Sequence, residues 1–176
     1  YKAPPQAPVL YIKPANTFSA DGAAIALPAG VEEVEVGATV GMVMRGPGDV
    51  AGYVLLNDLC IPHESLFRPP VKFRCLDGFL GIGARVRARN EAGDPAIFKL
   101  EVRINGELRQ TVRFADLVRP AEKLLADVSE FMTLGEGDVL MLGCDTGRPR
   151  ARAGDVVEIR MPALGALTNT LVEAAA

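Results

Sequence analysis

Asp58 is the carboxylate of this sequence whose position, directly after an apolar run, suggests a functional role. Asp58 follows the apolar run 50–56 and Asn57 in "AGYVLLND". It either bonds the local backbone amides, as an aspartate at the end of a strand often does, or it holds something. Zinc sites usually need sets of His or Cys, and a triad needs a His base. The chain has a single histidine, His63, and three cysteines that are far apart and give no zinc spacing. Any metal here must therefore take oxygen ligands, which favours Mg²⁺, Mn²⁺ or Ca²⁺.

Composition narrows the class of protein. The 176 residues, 49% hydrophobic and 23% charged, fit a single domain over 1–176. The net charge of −3 and the interspersed basic residues argue against nucleic-acid binding. No apolar run approaches the roughly 18 residues of a membrane span. The odd, widely spaced cysteines indicate no disulfide framework, so we expect a reducing, cytoplasmic setting.

The elements that must position Asp58 are mostly strands. The sequence predicts strands over 8–14, 34–44, 50–56, 156–161 and 166–173, and a tight hairpin over 97–114 around Asn105-Gly106. It predicts one helix that begins near Pro120 and stops at Gly135. Three Gly-Asp-Val triplets, at 48–50, 137–139 and 154–156, indicate turns that open apolar runs, rather than catalytic aspartates.

Several segments together resemble one known family. They are "IKPANT" (12–17), "AGYVLLND" (51–58), "FRPPVKFRCLDGFLGIG" (67–83), "VRINGELRQ" (102–110), "SEFMTLGEGDVLMLGC" (129–144) and "AGDVVEIRMPALGALTN" (153–169). In this order they resemble the fumarylacetoacetate hydrolase family. Within it they are most similar to the amino-terminal half of the isomerases/decarboxylases of 4-hydroxyphenylacetate breakdown. The resemblance implies an α+β, mainly β fold, a mixed β-sheet roll with a few short helices.

The same resemblance implies a functional site. It implies a divalent metal, Mg²⁺ or Mn²⁺, held by a Glu-x-Glu pair and Asp58, which chelates a 2-oxo or 2-hydroxy-dienoate diacid. Such a cation stabilises the charge that develops on enolisation. The family lysine falls on Arg74, and Asp77 is kept, so both are candidate catalytic residues. Candidate substrate-binding residues are Arg68, whose guanidinium suits a carboxylate, Lys72 and Asn57.

The position of the Glu-x-Glu pair is open between two registers. In one, Gly37 and Thr39 stand where the family has glutamates, and the metal site is degraded. In the other, slipped along the strand, Glu33 and Glu35 supply the pair. A shift by an even number of residues preserves the face of a strand, so both are physically allowed. The first register is the favoured interpretation.

Other family positions also differ. Arg74 keeps a positive charge but cannot act as a base. The late Gly-Thr motif reads Gly143-Cys144, and Cys144 is better explained as a small core residue than as a nucleophile. His63 stands where the family usually has an acid, although a lone loop histidine is most often simply exposed. The family's lid, with its His-Glu pair, would precede Tyr1.

Three functions follow from these observations. The chain is an isomerase/decarboxylase that acts on a 2-oxo diacid, or a non-catalytic subunit beside an active homologue, or a module that binds a 2-oxo acid without turnover. A homodimer or a hetero-oligomer with a homologous subunit is expected from the resemblance alone.

Overall fold

The computed structural model describes residues 7–63 and 71–174. The strands are β1 Phe18–Ala20, β2 Ala24–Leu27, β3 Val34–Gly46, β4 Asp49–Cys60, β5 Leu80–Ile82, β6 Arg87–Ala88, β7 Lys99–Ile104, β8 Glu107–Arg113, β9 Val139–Met141, β10 Arg150–Ala151, β11 Val156–Met161 and β12 Gly165–Glu173. The α-helices are α1 Val71–Arg74, α2 Arg89–Ala92 and α3 Ala121–Ser129, and single 3-10 turns cover Ala15–Thr17, Pro95–Ile97 and Phe114–Asp116.

Two long antiparallel strands, β3 and β4, form the centre of the larger sheet. β3 is rich in Val and Met and β4 in Val and Leu, apolar residues that suit a sheet buried on both faces. Gly48 turns the chain between them with φ 71°, in the left-handed region that favours glycine. The strands predicted over 34–44 and 50–56 are confirmed, but β4 runs on to Cys60. Asp58 therefore lies inside a strand rather than at its end.

The strands form two sheets. In the larger, the order is β1-β5-β4-β3-β10, with β6 also paired to β4 and β9 to β3. In the smaller, the order is β2-β12-β11-β7-β8. Side chains of both sheets, among them Val36 and Val40 of β3 and Leu100 and Ile159 of β7 and β11, share one hydrophobic core. The architecture is mixed and mainly β with short helices, which confirms the expected fold class.

The local predictions in the second half of the chain are confirmed. Asn105 and Gly106 both have positive φ, 53° and 82°, as the tight turn between β7 and β8 requires. Helix α3 begins directly after Pro120 and buries Leu124 and Val128, but it ends at Ser129, before Gly135. The predicted closing strands correspond to β11 and β12.

The strand predicted over 8–14 is wrong. Residues 7–14 belong to neither sheet. The alternation in "PVLYIKP" instead directs Tyr11 and Lys13 toward the protein and leaves Ile12 75% exposed. The inward-facing side chains, Tyr11 and Lys13, contact the buried carboxylate of Asp58. The segment joins no ladder of strand hydrogen bonds among the described residues.

The two faces of β4 have different surroundings. Because side chains alternate along a strand, Val54, Leu56 and Asp58 share one face, and Tyr53, Leu55 and Asn57 share the other. Val54 and Leu56 belong to a small apolar cluster with Leu80, whereas Tyr53 and Leu55 belong to the main core between the sheets. No helix within 7–63 and 71–174 is long and apolar enough to cross a membrane.

Candidate functional site

Asp58 is completely buried and is surrounded by cations. Lys13 Nζ lies 3.0 Å from Asp58 Oδ1, and Arg74 Nη1 lies 3.0 Å from Asp58 Oδ2. The Lys13 contact is an ion pair without good hydrogen-bond angles, since Oδ1 accepts no hydrogen bond from any described residue. A carboxylate without solvent contact needs such partners, because an unpaired buried charge costs several kcal/mol.

Tyr11 and Lys13 bring the segment before β1 onto the site. The Tyr11 hydroxyl donates to Asp58 Oδ2, and Arg74 Nη1 also lies 3.3 Å from the Tyr11 oxygen. The Arg74 guanidinium lies over the Tyr11 ring, 4.6 Å from its centroid, a cation–π geometry. Lys13 also donates to the carbonyls of Arg74 and Phe79, so its side chain, 3% exposed, has three acceptors around it. We call Tyr11, Lys13, Asp58 and Arg74 the ion cluster.

The neutral members of this region stay neutral. Burial, followed by the negative charge of Asp58, raises the pKa of Tyr11 well above its ordinary value. Burial, and again the Asp58 charge, raises the pKa of the Cys144 thiol to about 12. Tyr11 and Cys144 therefore add no charge near neutral pH to the ion pairs that Asp58 forms with Lys13 and Arg74.

Gly37 lies directly across from Asp58 in the β3–β4 ladder. A Cβ at Gly37 would lie 2.5 Å from the Asp58 carbonyl oxygen and 2.9 Å from Cys144 Sγ. The Cys144 sulfur thus occupies the space beside Gly37, and a side chain there would collide with backbone. Thr39, two residues on, donates its hydroxyl to the Gly143 carbonyl. Neither position offers an acidic ligand to the space around Asp58.

Glu33 and Glu35 are each paired with an arginine. Glu33 precedes β3 and forms an ion pair with Arg150. Glu35 Oε2 lies 3.4 Å from Arg148 Nη1. Within the described ranges, no three His, Cys, Asp or Glu side chains form a group that could hold a metal ion. The set expected from the slipped register, with Glu33, Glu35 and Asp58 on one cation, therefore does not assemble.

The residues present do not fit a divalent cation at Asp58. Its oxygens already face an ammonium, a guanidinium and a hydroxyl, so a metal ion would meet like charge at the place of its ligands. The side chain across the ladder is a single hydrogen, at Gly37. The ion cluster stands where the family resemblance places Mg²⁺ or Mn²⁺.

Asn57 does not line the same space as Asp58. It is 1% exposed on the opposite face of β4, and its Nδ2 lies 3.4 Å from Asn169 Oδ1 in β12. Its own Oδ1 is buried without a partner among the described residues. Asn57 ties the two sheets together at this level, so the structure gives no support to its predicted role in substrate binding.

Four predicted site residues remain: Asp77, Lys72, Arg68 and Arg74. Asp77 is exposed and accepts a hydrogen bond from Asn16 Nδ2 at 2.7 Å, which fixes a loop rather than the ion cluster. Lys72 is exposed on α1. Arg68 lies outside the described residues. Among these substrate-binding and catalytic candidates, Arg74 is the one that the structure places against Asp58.

His63 stacks on Phe73, with ring centroids 4.5 Å apart. Its Nδ1 lies 3.0 Å from the Ile61 carbonyl and 3.6 Å from Cys60 Sγ. Burial is the main cause that raises the pKa of the Cys60 thiol. His63 and Cys60 thus lie together at the end of β4, and the raised pKa keeps the Cys60 thiol protonated near neutral pH.

Sequence reasoning missed two residues of the site, Tyr11 and Lys13. Lys13 stands in "IKPANT", a segment that resembles the family, but nothing in its local sequence ties it to a residue 45 positions away. A lysine at the end of a predicted strand, followed by a proline, is ordinarily interpreted as a solvated surface residue. The available indication of a basic partner such as Lys13 was Asp58 itself, because a buried carboxylate needs a positively charged neighbour.

Comparisons with known proteins agree with this architecture. The family model "Fumarylacetoacetate (FAA) hydrolase C-terminal" matches residues 1–172. The 4-hydroxyphenylacetate degradation bifunctional isomerase/decarboxylase of Escherichia coli is 37% identical over 183 residues, which cover 98% of this chain and 42% of that protein. The protein of the same description from Salmonella dublin is 37% identical over 182 residues, 98% of this chain and 41% of its own. The chain thus spans about two fifths of the length of these relatives.

A solved structure extends the likeness to three dimensions. The 5-carboxymethyl-2-hydroxymuconate delta-isomerase of Mycobacterium smegmatis superposes with a TM-score of 0.87 at 26% identity, over 97% of this chain and 71% of that chain. The family match spans nearly the whole sequence, and the fold and the order of the motifs agree with it. The chain belongs to the fumarylacetoacetate hydrolase family.

Proposed function

We propose that this chain is a non-catalytic partner in an isomerase/decarboxylase assembly of aromatic breakdown, in which a homologous half or subunit carries the metal. The relatives named above are described as isomerases and decarboxylases of 4-hydroxyphenylacetate degradation. We place the assembly in the cytoplasm, where the three free cysteines stay reduced. Its substrate class is the 2-oxo or 2-hydroxy-dienoate diacids that the resemblance implies.

One observation carries the proposal. Lys13, Arg74 and Tyr11 surround the carboxylate of Asp58, and among the described residues no second acidic side chain joins it in a group that could hold a metal ion. Metal-assisted enolisation needs a cation with open positions for the two oxygens of the 2-oxo acid. The buried ammonium of Lys13 has carbonyl and carboxylate partners and offers no such position. The chemistry of the family is therefore assigned to a homologous chain, and the fold and its surfaces to this one.

A metal-binding assay combined with a turnover assay tests the proposal. Mn²⁺ is titrated into the purified chain and free Mn²⁺ is followed by electron paramagnetic resonance. Isomerisation of 5-carboxymethyl-2-hydroxymuconate is measured with and without Mg²⁺. We expect no Mn²⁺ uptake above that of the Asp58→Asn variant, and no turnover by the chain alone.

A homologous chain that retains three acidic ligands is then added as the partner. We expect a stable complex on size-exclusion chromatography, with turnover that persists when this chain carries Asp58→Asn. Metal-dependent turnover by this chain alone, abolished by Asp58→Asn, would contradict the proposal. Absence of any complex with the homologue would contradict the partner role.

A further inference from the structure

Two cations lie side by side where β7 begins and β8 ends. The antiparallel ladder pairs Lys99 of β7 directly with Arg113 of β8. The next pair along the ladder, Leu100 with Val112, is buried in the core between the sheets. Because side chains alternate along a strand, Lys99 and Arg113 point together to the outer face of the smaller sheet, where both are exposed.

This pairing of like charges is unfavourable for the chain by itself. Residues directly opposite in an antiparallel ladder have Cβ atoms about 5 Å apart, and like charges at that separation destabilise a sheet. The acidic residues near them on the outer face, Glu101 of β7 and Glu158 of β11, already form ion pairs with arginines of their own strands. An anion shared by Lys99 and Arg113 would offset their repulsion.

A cleft of about 700 Å³ opens beside Lys99, which is part of its lining. Apolar side chains from the turn before β7 and from the connection between β11 and β12 line much of it, among them Ile97, Phe98, Met161, Pro162 and Ala163. Ile97 is 78% exposed. A cavity of this volume lies within the range of small-molecule sites, which are mostly apolar with a few placed polar groups. The cleft therefore offers an apolar surface next to the pair of cations.

We propose that this cleft binds a small carboxylic acid with an apolar or aromatic body. The carboxylate pairs with Lys99 and Arg113, because its two oxygens can accept hydrogen bonds from an ammonium and a guanidinium at once. The body lies against Ile97 and Pro162, and the apolar surface that it removes from water adds affinity that a bare anion does not gain. The site belongs to the smaller sheet and goes beyond the proposed function, which concerns Asp58 in the larger sheet.

The probe is 2-naphthoate, an aromatic carboxylate, titrated calorimetrically into the purified chain. We expect saturable binding at one site. Acetate has the charge without the body and 2-naphthol has the body without the charge, so each should bind about tenfold or more weakly. Arg113→Gln removes one charge-assisted contact and weakens the affinity for 2-naphthoate about tenfold. The matched control, Arg109→Gln, removes an exposed arginine of the same strand and leaves the affinity unchanged.

The variant Lys99→Glu separates binding from folding. It turns a pair of like charges into a pair of opposite charges, so we expect a urea midpoint at least as high as that of the wild-type chain. The same change sets a second carboxylate against the ligand, and the affinity for 2-naphthoate should fall by about tenfold or more. A loss of binding in a chain that is no less stable does not come from unfolding.

Nuclear magnetic resonance of the wild-type chain with ¹³C-labelled isoleucine methyl groups locates the ligand. We expect 2-naphthoate to shift the methyl signal of Ile97. The control is Ile12, which is also exposed but stands between Tyr11 and Lys13 of the ion cluster, and its signal should stay in place.

Four results would each overturn the site. They are no saturable binding of 2-naphthoate, equal affinity for 2-naphthol, unchanged affinity in both Arg113→Gln and Lys99→Glu, and a shift of the Ile12 signal without one of Ile97. These outcomes do not bear on the proposed function, which is tested by metal uptake and turnover.

Discussion

Two ion triads in this protein each pair an aspartate with a lysine and an arginine, and they differ in where the partners come from and in how exposed the lysine is. Asp58 is paired with Lys13 and Arg74, which come from distant segments, and it has no solvent contact. Asp127 on α3 is paired with Lys123, one turn before it, and with Arg119, just ahead of the helix. The Lys123 side chain is 64% exposed, whereas that of Lys13 is 3% exposed. The Asp58 triad joins segments that are distant in sequence, so the tertiary structure depends on it. The Asp127 triad joins residues of α3 and the segment just before it.

The difference follows from solvent. Water competes for the exposed Lys123 ammonium, so its ion pair with Asp127 contributes little to folding. Nothing competes for Asp58, so its partners are required once the carboxylate is buried. The buried triad also ties the segment 7–14, β4 and α1 to one point, a connection that strand hydrogen bonds do not provide.

The strongest test of this contrast is Asp58→Ala. It leaves the Lys13 and Arg74 charges buried without their anion, and we expect a loss of about 3–5 kcal/mol in the free energy of unfolding. Urea denaturation followed by circular dichroism measures it. Asp58→Asn keeps the size of the side chain and should lose most of the same amount, because the charge and not the volume is missing. A loss in Asp58→Ala no greater than that of Asp127→Ala would remove the distinction between the two triads.

A second test concerns the packing around Asp58. Gly37→Ala places a Cβ 2.5 Å from the Asp58 carbonyl oxygen, a backbone atom that cannot rotate away. We expect overpacking to cost about 1–3 kcal/mol in urea denaturation. The control is Gly46→Ala in the same strand, where an added Cβ meets no atom within 4 Å. Equal stability of the two variants would show that β3 and β4 separate easily at this level.

The smallest expected effect belongs to Asp127→Ala. Hydrogen bonding from Lys123 is the first cause that lowers the pKa of Asp127. Its contribution to stability is therefore present above the ordinary pKa of an aspartate and is lost as the pH falls through the lowered value. We expect only a slight shift of the urea midpoint near neutral pH, smaller still in high salt. A large, salt-independent shift would place Asp127 in the same class as Asp58.

The elements with strong local patterns were predictable from sequence. The β7–β8 hairpin follows from Asn105-Gly106, and β3 and β4 follow from their runs of β-branched and apolar residues. The prediction of Arg74 as a functional residue came from family resemblance, and its contact with Asp58 could not have been read from spacing. Lys13 was missed because its partner lies on a different element, and long-range ion pairs leave no periodic trace.

The register of β3 shows why sequence alone left the site open. A slip of two residues preserves which side chains face the core, so the hydrophobic pattern is the same with Gly37 or with Glu35 across from Asp58. The ladder in the structure places Gly37 there. The strand predicted over 8–14 failed for a related reason, because alternation reports which side chains turn inward and not whether the backbone has a neighbour.

The pairing of β2 with β12 has a consequence for synthesis. Ala24 lies beside Thr170, and among the described strands β2 pairs only with β12. A nascent chain leaves the ribosome from its amino terminus, so β2 emerges long before the strand it pairs with. Until β12 appears, its edge is unprotected, and such edges are sites of aggregation. The smaller sheet is thus completed only when nearly all of the described chain has been translated.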